Sequence, residues 1–527
     1  MAVNFKPSII IVTILLLLLT IPFVILVKEG LISLLLYSNT SLNNTILILL
    51  KNSFNLVTLT LSLAFIIGIT LAWITSYYIL PYHKIINILL LLPLAIPSYI
   101  LANTYAYISE DQIPYFCNTI LDLSCNFSIR NILGASMIFA LGLYPYIYLL
   151  TKHYFIKLKE RIMLGKLYGL TEKQVITKIA IPGAKPAIIA SLSLIAMEVL
   201  ADFGVVSLFG IQTFTTKIYR SWFYQNQYET AALLSLCLLL IVIILLAIEK
   251  FLNLHKTYHI PKYSDTITTA PHLSKTKKSF LMFICIIIPI FAFIIPSIQI
   301  ISWSLEKYHY FLSKDFIRIF SNSLFLALAG AIIIVSSSIL IITILKTHNL
   351  KLNKFLANIV SLGYAIPGSV IAISIIYTLH IIFNYFNLDY QSIAIFSIIG
   401  LIYAYFVRFI TLAHSNISSS WSKIPNEINH ISLIYNKNNW QRLNNIYLPF
   451  LSYEIAVSLL LISIEIIKEL PATLILRPFN FDTLATKTYL FASDEMVATA
   501  GALSLAIIVI NIIPIYFINK FFIGKAK

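Results

Sequence analysis

The sequence predicts an all-α polytopic membrane protein, with about twelve transmembrane helices in two fused six-span, pseudo-symmetric halves. Three observations carry that expectation. Of 527 residues, 59% are apolar and only 11% charged, against roughly a quarter charged in soluble domains. Charge-free stretches such as 54–80, 85–109, 131–151, 279–305, 319–345 and 355–388 reach or exceed the ~20 residues that cross a bilayer. The chain also repeats itself. Ala95-Ile96-Pro97 returns as Ala365-Ile366-Pro367, 270 positions on. Ile181-Pro182, followed by Glu198 and Asp202, returns as Leu448-Pro449, followed by Glu465 and Glu469, 267 positions on. Lys217-Ile218-Tyr219 returns as Lys487-Thr488-Tyr489, again at 270. One small deletion and one compensating insertion reconcile the offsets. Duplicated bundles are a common transporter plan.

Hydropathy places the first six spans near 8–28, 54–79, 85–108, 131–152, 186–208 and 230–249. The second six fall near 280–303, 322–345, 355–384, 391–414, 450–472 and 497–519. The halves are 1–250 and 280–527, joined by a cytoplasmic linker, 251–279, with Thr, Ser, Pro and Lys and little periodicity. The first span has a long apolar core and no small-residue cleavage site after Val27, so it is expected to be retained rather than removed as a signal peptide.

The formal charge is +16, and its distribution sets the orientation. Segment 152–185 holds Lys152, Lys157, Lys159, Arg161, Lys166, Lys173, Lys178 and Lys185 against Glu160 and Glu172. The linker is similarly basic. The opposite loop, 109–130, has Glu110, Asp111 and Asp122 with Arg130 alone. Basic loops stay in the cytoplasm, so both termini are expected there, in a bacterial inner membrane. The cations serve topology and anionic headgroups of membrane lipid. No aromatic-and-basic module for nucleic acid is present.

The sequence lacks G-x-x-x-x-G-K-[ST], H-E-x-x-H and G-x-S-x-G. No catalytic residue is assigned, no cofactor is called for, and no His/Cys spacing makes a metal site. If transport is driven by ATP, a separate subunit hydrolyses it. Cys237 and Cys285 fall in spans as small packing residues. Cys117 and Cys125 share the loop 109–130 and would be able to pair if that side is the periplasm. Arg408, near the inward end of its span, is expected to snorkel to headgroups.

The segment Met163-Leu164-Gly165-Lys166-Leu167-Tyr168-Gly169, continuing to Ile179-Ala180-Ile181-Pro182, resembles the signature loop of binding-protein-dependent ABC importer permeases, E-A-A-x3-G-x9-I-x-L-P. Gly169 falls on the signature glycine, Ile179 on the isoleucine, and Ile181-Pro182 on the closing pair. Met163 stands where the signature has Glu. The second copy, from His430 through Ser432 and Asn436 to Ile446, Leu448 and Pro449, is more eroded: His430 replaces Glu and Asn436 replaces Gly. In that family the loop forms two short helices, one of which docks on the ATPase. The resemblance therefore implies ATPase-coupling loops at 158–182 and 425–449, with Gly165, Gly169, Ile179, Pro182, Ser432, Asn436, Ile446 and Pro449 among the coupling residues. The bare alternative is a solvated basic loop. The family is of the type I ABC importer kind, with two ATPase copies and a periplasmic substrate-binding protein as partners.

Two longer segments, 200–222 and 468–489, the latter followed by Ala492-Ser493-Asp494-Glu495, are similar to ferric-iron ABC permeases. That resemblance implies passage of iron released by the binding protein. Thiamine and phosphonate permeases share the fused layout, and fold alone does not choose among them. An ion-coupled secondary transporter is the reading from another class, although such a carrier has no need of the repeated loop.

Glu198 and Asp202 are spaced i, i+4, as are Glu465 and Glu469, which puts each pair on one helix face. A carboxylate in a bilayer costs roughly 2.5 kcal/mol or more, so it is expected to face a cavity or a partner. Four of them about a shared axis would suit a hard cation along a translocation path. Three other assignments stay open: pairing of Glu465 with Lys468, structural hydrogen bonds from Glu198 and Asp202, and headgroup-level placement of Asp202 and Glu469.

Overall fold

Regular elements among the described residues are all helices. The computed structural model describes residues 6–36, 40–120, 128–253, 274–348, 360, 363–386, 393–422, 424 and 439–524. In the first part of the chain these are α1 Lys6–Leu36, α2 Thr40–Tyr77, α3 His83–Leu89, α4 Ser98–Tyr107, α5 Ile113–Ile120, α6 Ile132–Lys157, α7 Lys159–Leu167, α8 Glu172–Val175, α9 Ile181–Gly183, α10 Lys185–Ala201, α11 Gly204–Leu208, α12 Phe214–Phe223 and α13 Tyr228–Asn253. After the linker come α14 Lys275–Pro289, α15 Ile295–Glu306, α16 Lys314–His348, α17 Gly368–Phe386, α18 Ile393–Trp421, α19 Asn439–Arg442, α20 Leu448–Lys468, α21 Pro471–Leu476, α22 Leu484–Ser493 and α23 Val497–Gly524.

Nine helices among the described residues are long and apolar enough to cross a membrane. Two bent pairs, His83–Ala95 with Ser98–Tyr115 and Glu172–Gly183 with Lys185–Ala201, raise the number to eleven. Val497–Ile513 is a further apolar helix, so each of the twelve expected spans has a counterpart. Several are not the continuous rods that hydropathy suggests. Span 85–108 turns by 89° at Ile96-Pro97, because proline pushes the residue before it out of the helical region: Ile96 sits at φ −99°, ψ 115°. The span expected at 355–384 is helical from Gly368, after a short 3-10 turn at Gly363–Ala365; residues 355–359 and 361–362 lie outside the described residues. The spans expected at 186–208 and 450–472 stop at Ala201 and Lys468, and a short helix follows each.

Proline also explains four widened turns. The π turns Ile108–Gln112, Ile176–Ala180, Ile290–Ile294 and Leu443–Tyr447 each end two residues before a proline: Pro114, Pro182, Pro296 and Pro449. A proline ring collides with the carbonyl four residues back and offers no N–H, so the helix continues by widening the turn ahead of it.

By contact the chain forms two compact units. One comprises 1–38, 218–239 and 311–487; the other comprises 39–217, 240–310 and 488–527. This grouping cuts across the sequence halves. In the first unit α1 packs on α16 and α17, and α16 on α18 and α20. In the second, α2 packs on α6, α10 on both, and α15 on α23.

The duplication is visible in individual hydrogen bonds, one set in each unit. Asn52 Nδ2 donates to the Gln212 carbonyl at 3.0 Å, and Asn322 Nδ2, 270 positions on, donates to the Asp482 carbonyl at 3.2 Å. The Thr213 amide donates to Thr216 Oγ1 at 2.9 Å, and the Thr483 amide to Thr486 Oγ1 at 2.9 Å, starting α12 and α22 alike. Gly210 and Asn480 share a left-handed backbone, φ 67° and 61°. Helix-borne hydroxyls such as Thr104, Thr151, Ser235 and Ser374 donate to carbonyls four residues back, which satisfies them without a neighbour.

Close helix contact depends on small residues. A Cβ on Gly68 of α2 would lie 2.7 Å from Ile147 Cβ of α6 and 3.2 Å from the Tyr144 carbonyl. Gly68→Leu is expected to separate α2 from α6 and destabilise the fold by about 1–3 kcal/mol, the usual range for overpacking. A clear drop in the melting temperature of the detergent-purified chain is the result to look for.

Candidate functional site

The loop 158–182 begins as α7 and stops at Gly169, which takes φ 81°. The Gly169 amide bonds the Lys166 carbonyl and the Leu170 amide the Gly165 carbonyl, at 2.9 and 3.1 Å. This is how a helix ends on a residue without Cβ. The chain then restarts with a capping box: the Gln174 amide donates to Thr171 Oγ1, and the Thr171 amide to Gln174 Oε1. The T-x-x-Q pattern was readable in the sequence and is a helix-start signal. Gly165 and Ile179 meet across the turn, since a Cβ on Gly165 would fall 2.5 Å from Ile179 Cδ1. Pro182 ends the widened turn, and α10 leaves at 71° to the preceding segment.

In the second copy, Ile446 lies in the π turn Leu443–Tyr447 and Pro449 opens α20. The π turn recurs 267 positions after its counterpart, but the chain continues straight into α20. Ser432 and Asn436 lie outside the described residues, as does His430.

Ile162 of α7 is buried, but other apolar side chains of α7 and the residue after it are not covered. Leu164 is 52% exposed, Leu167 76% and Tyr168 86%. They sit among Lys159, Arg161, Lys166 and Lys173 in the sequence.

The carboxylates divide into different roles. Glu198 is half-buried on α10. Asp202 is past the end of that helix, at φ −68°, ψ 140°, so the i, i+4 shared face fails at its fourth position. Its Oδ2 instead accepts the amides of Val205 and Val206, at 2.9 and 3.4 Å, starting α11. Glu469 repeats this. It lies beyond α20 at ψ 116°, and its Oε1 accepts the Ala472 amide at 3.2 Å, starting α21. Glu465 accepts from Lys468 Nζ at 3.0 Å, one of the assignments left open by the sequence.

Arg408 does not snorkel. Its Nη1 donates to Glu469 Oε1 at 2.9 Å, and the two side chains are only 9% and 5% exposed. An apolar layer accepts two such charges only as a hydrogen-bonded pair. Gly368 makes room for it: a Cβ there would fall 2.4 Å from both Arg408 Nη1 and Glu469 Oε1. Sequence reasoning missed this pair. The available signal was an arginine deep in an apolar stretch, with an acid at a helix end.

In the loop 109–130, Arg130 Nε bonds both Glu110 oxygens at 2.9 Å, and Gln112 bonds Gln299 at 2.7 Å. Cys117 is buried and disulfide-bonded; Cys125 lies outside the described residues. Cys237 and Cys285 are thiols. In the loop after α21, Arg477 pairs with Asp482, which Lys487 approaches to 3.5 Å. Burial pulls the Arg477 guanidinium below its usual pKa. Among the described residues no cluster of His, Cys, Asp and Glu could hold a metal ion.

Nine long apolar helices and two bent pairs among the described residues define a polytopic helical membrane protein. Residues 64–256 match the family described as binding-protein-dependent transport system inner membrane component, a stretch that contains the whole loop 158–182. With its many long apolar helices the chain is a multi-pass inner-membrane protein, similar over this stretch to permeases of ABC transporters. A relative, the Fe(3+)-transport system permease protein FbpB 2 of Haemophilus influenzae, is 28% identical over 423 residues, 78% of this chain and 80% of the relative. No solved structure matches.

Removing one partner of the Arg408–Glu469 pair leaves a buried charge, a loss of about 3–5 kcal/mol. Glu469→Gln is therefore expected to melt far earlier than wild type. The double variant Arg408→Met/Glu469→Gln should recover much of that loss, because it removes the stranded cation. Thermal unfolding of both variants in detergent checks the order.

Proposed function

We propose that the chain is the translocation subunit of an importer for ferric iron, fed by a periplasmic binding protein and driven by two copies of a cytoplasmic ATPase. The observation that carries the iron reading is likeness to an Fe(3+)-transport permease over 78% of the chain. Iron is the cargo here, passing through rather than residing.

The loop 158–182 is the first docking site for the ATPase. Its geometry supports that role: a helix stopped by Gly169, fixed to the following turn through Gly165 and Ile179, and presenting Leu164, Leu167 and Tyr168 to solvent. An interface core takes aromatic and aliphatic side chains with a charged rim. The segment 425–449 is the second docking site, with Ser432, Asn436, Ile446 and Pro449 at the matching positions. The basic loops and both termini then face the cytoplasm, and the Cys117–Cys125 disulfide lies on the periplasmic side, where disulfides persist.

Glu198 and Glu465 are the carboxylates proposed to serve the translocation path. Asp202 and Glu469 have amides to hold at helix ends, so their part is to set the shape of the breaks.

Leu167→Asp/Tyr168→Asp is expected to abolish co-purification of the ATPase and iron uptake, with membrane insertion unchanged. Normal recovery of the ATPase with this variant would refute the docking role. A second experiment addresses the path. Glu198→Gln/Glu465→Gln keeps shape and hydrogen bonding while removing charge. It should still bind the ATPase yet take up radiolabelled ferric iron several-fold more slowly. Uptake equal to wild type at matched expression would exclude a charge-based path.

A further inference from the structure

The inner end of α2 is a stack of aromatic rings. Trp73 and Tyr77 lie face to face, centroids 4.8 Å apart and planes within 7°, and Tyr78 meets Tyr77 edge-on at 4.9 Å. The loop 158–182 is anchored on this stack at two points. Lys166 Nζ of α7 sits 4.7 Å from the Tyr77 ring centroid, a cation over a π face. Glu172, the first residue of α8, accepts a short hydrogen bond from the Tyr78 hydroxyl.

A third element joins them. Lys277, in the first turn of α14, has its Nζ 3.0 Å from the other Glu172 oxygen and 5.3 Å from the Tyr78 ring. Both oxygens of one carboxylate are thus engaged, one by the end of α2 and one by the start of α14. The duplication does not repeat this. The residue 267 positions after Glu172 is Asn439, and the one 270 positions after Tyr78 is His348, so the second loop has no carboxylate there.

The Glu172 and Lys277 side chains are 36% and 47% exposed. A solvent-screened pair of this kind contributes little to stability. Its effect is positional, since it gives the loop a hold on a helix to which it is not covalently joined. The loop runs directly into α10. Through Lys277 it also reaches α14, which packs on α2 and α3 and leads through the π turn 290–294 into α15.

We propose that Glu172 is a positioning residue that ties the loop 158–182 to the start of α14 through Lys277 and Tyr78, so that movement of the loop displaces α14 along with α10. The tie rests on the reading of this loop as the ATPase docking site. It makes the two docking loops of the chain unequal, because the matching positions in the second copy, Asn439 and His348, cannot repeat this tie.

The test uses the full complex with its ATPase in membrane vesicles. A reporter cysteine, Thr276→Cys, is placed in the exposed first turn of α14 and labelled with a bulky maleimide. Trapping the ATPase with ATP and vanadate should change the labelling rate several-fold. Glu172→Lys and Lys277→Glu should each abolish that change while the ATPase stays bound, and the swapped pair, Glu172→Lys/Lys277→Glu, should restore it. A merely structural contact would alter melting temperature without removing the nucleotide response. The tie is overturned if the response survives in the single variants, if the swap fails to restore it, or if wild type with bound ATPase shows no response. Failure of the unmodified chain to bind the ATPase at all would instead overturn the docking role on which the tie rests.

Discussion

A backbone amide exposed inside an apolar layer must find an acceptor, because no water is there to supply one. This chain interrupts its helices repeatedly, and each interruption sets that demand. After Ala201 and after Lys468 the helix stops, and a carboxylate takes the amide three residues on: Asp202 that of Val205, Glu469 that of Ala472. Near Pro114, Pro296 and Pro449 the helix widens rather than breaking, and near Pro182 it widens and then bends by 71°. Positions of breaks and bends follow from where proline and acidic residues fall, and the surrounding packing is arranged about them.

Charge in the apolar region obeys the same demand. Once Glu469 is placed to start α21 it needs a counterion, and Arg408 supplies it from α18. Two buried charges leave no space for a neighbouring side chain, and Gly368, directly after Ala365-Ile366-Pro367, is the residue that yields the volume. The repeat motif that reveals the duplication is therefore attached, in the second copy, to a buried Arg–Glu pair, whereas in the first copy Ser98 follows Pro97 and Ile138 stands 270 positions before Arg408. Pseudo-symmetry of backbone and asymmetry of charge coexist in one chain.

Much of the fold was legible in the sequence because its signals are periodic or long: charge-free runs gave the spans, and fixed offsets gave the repeat. Gly169 was legible because a helix stop on glycine has a local cause. What was not legible depended on where helices end. The i, i+4 spacing of Glu198 and Asp202 implies a shared face only if the helix continues, and it stops one residue short of Asp202. Arg408 looked like a headgroup residue because its partner is 61 positions away, beyond any local pattern. Glu172 looked like one charge in a basic loop, since Tyr78 and Lys277 approach it from 94 positions before and 105 after. Contacts at such separations leave no periodic trace.

The partition of the chain into contact units has a temporal consequence. Helix α1 packs on α16 and α17, whose residues follow it at a distance of hundreds of positions. At ~5–20 residues per second, the roughly 280 residues between Leu36 and Lys314 take on the order of 14–60 s to synthesise. For that interval the first helix is already made and α16 and α17 do not exist. It must be stable in lipid without those two helices, and its composition suits that: a run from Ile9 to Val27 without one charged side chain. The hydrophobicity of α1 therefore answers to the order of synthesis as much as to the finished bundle.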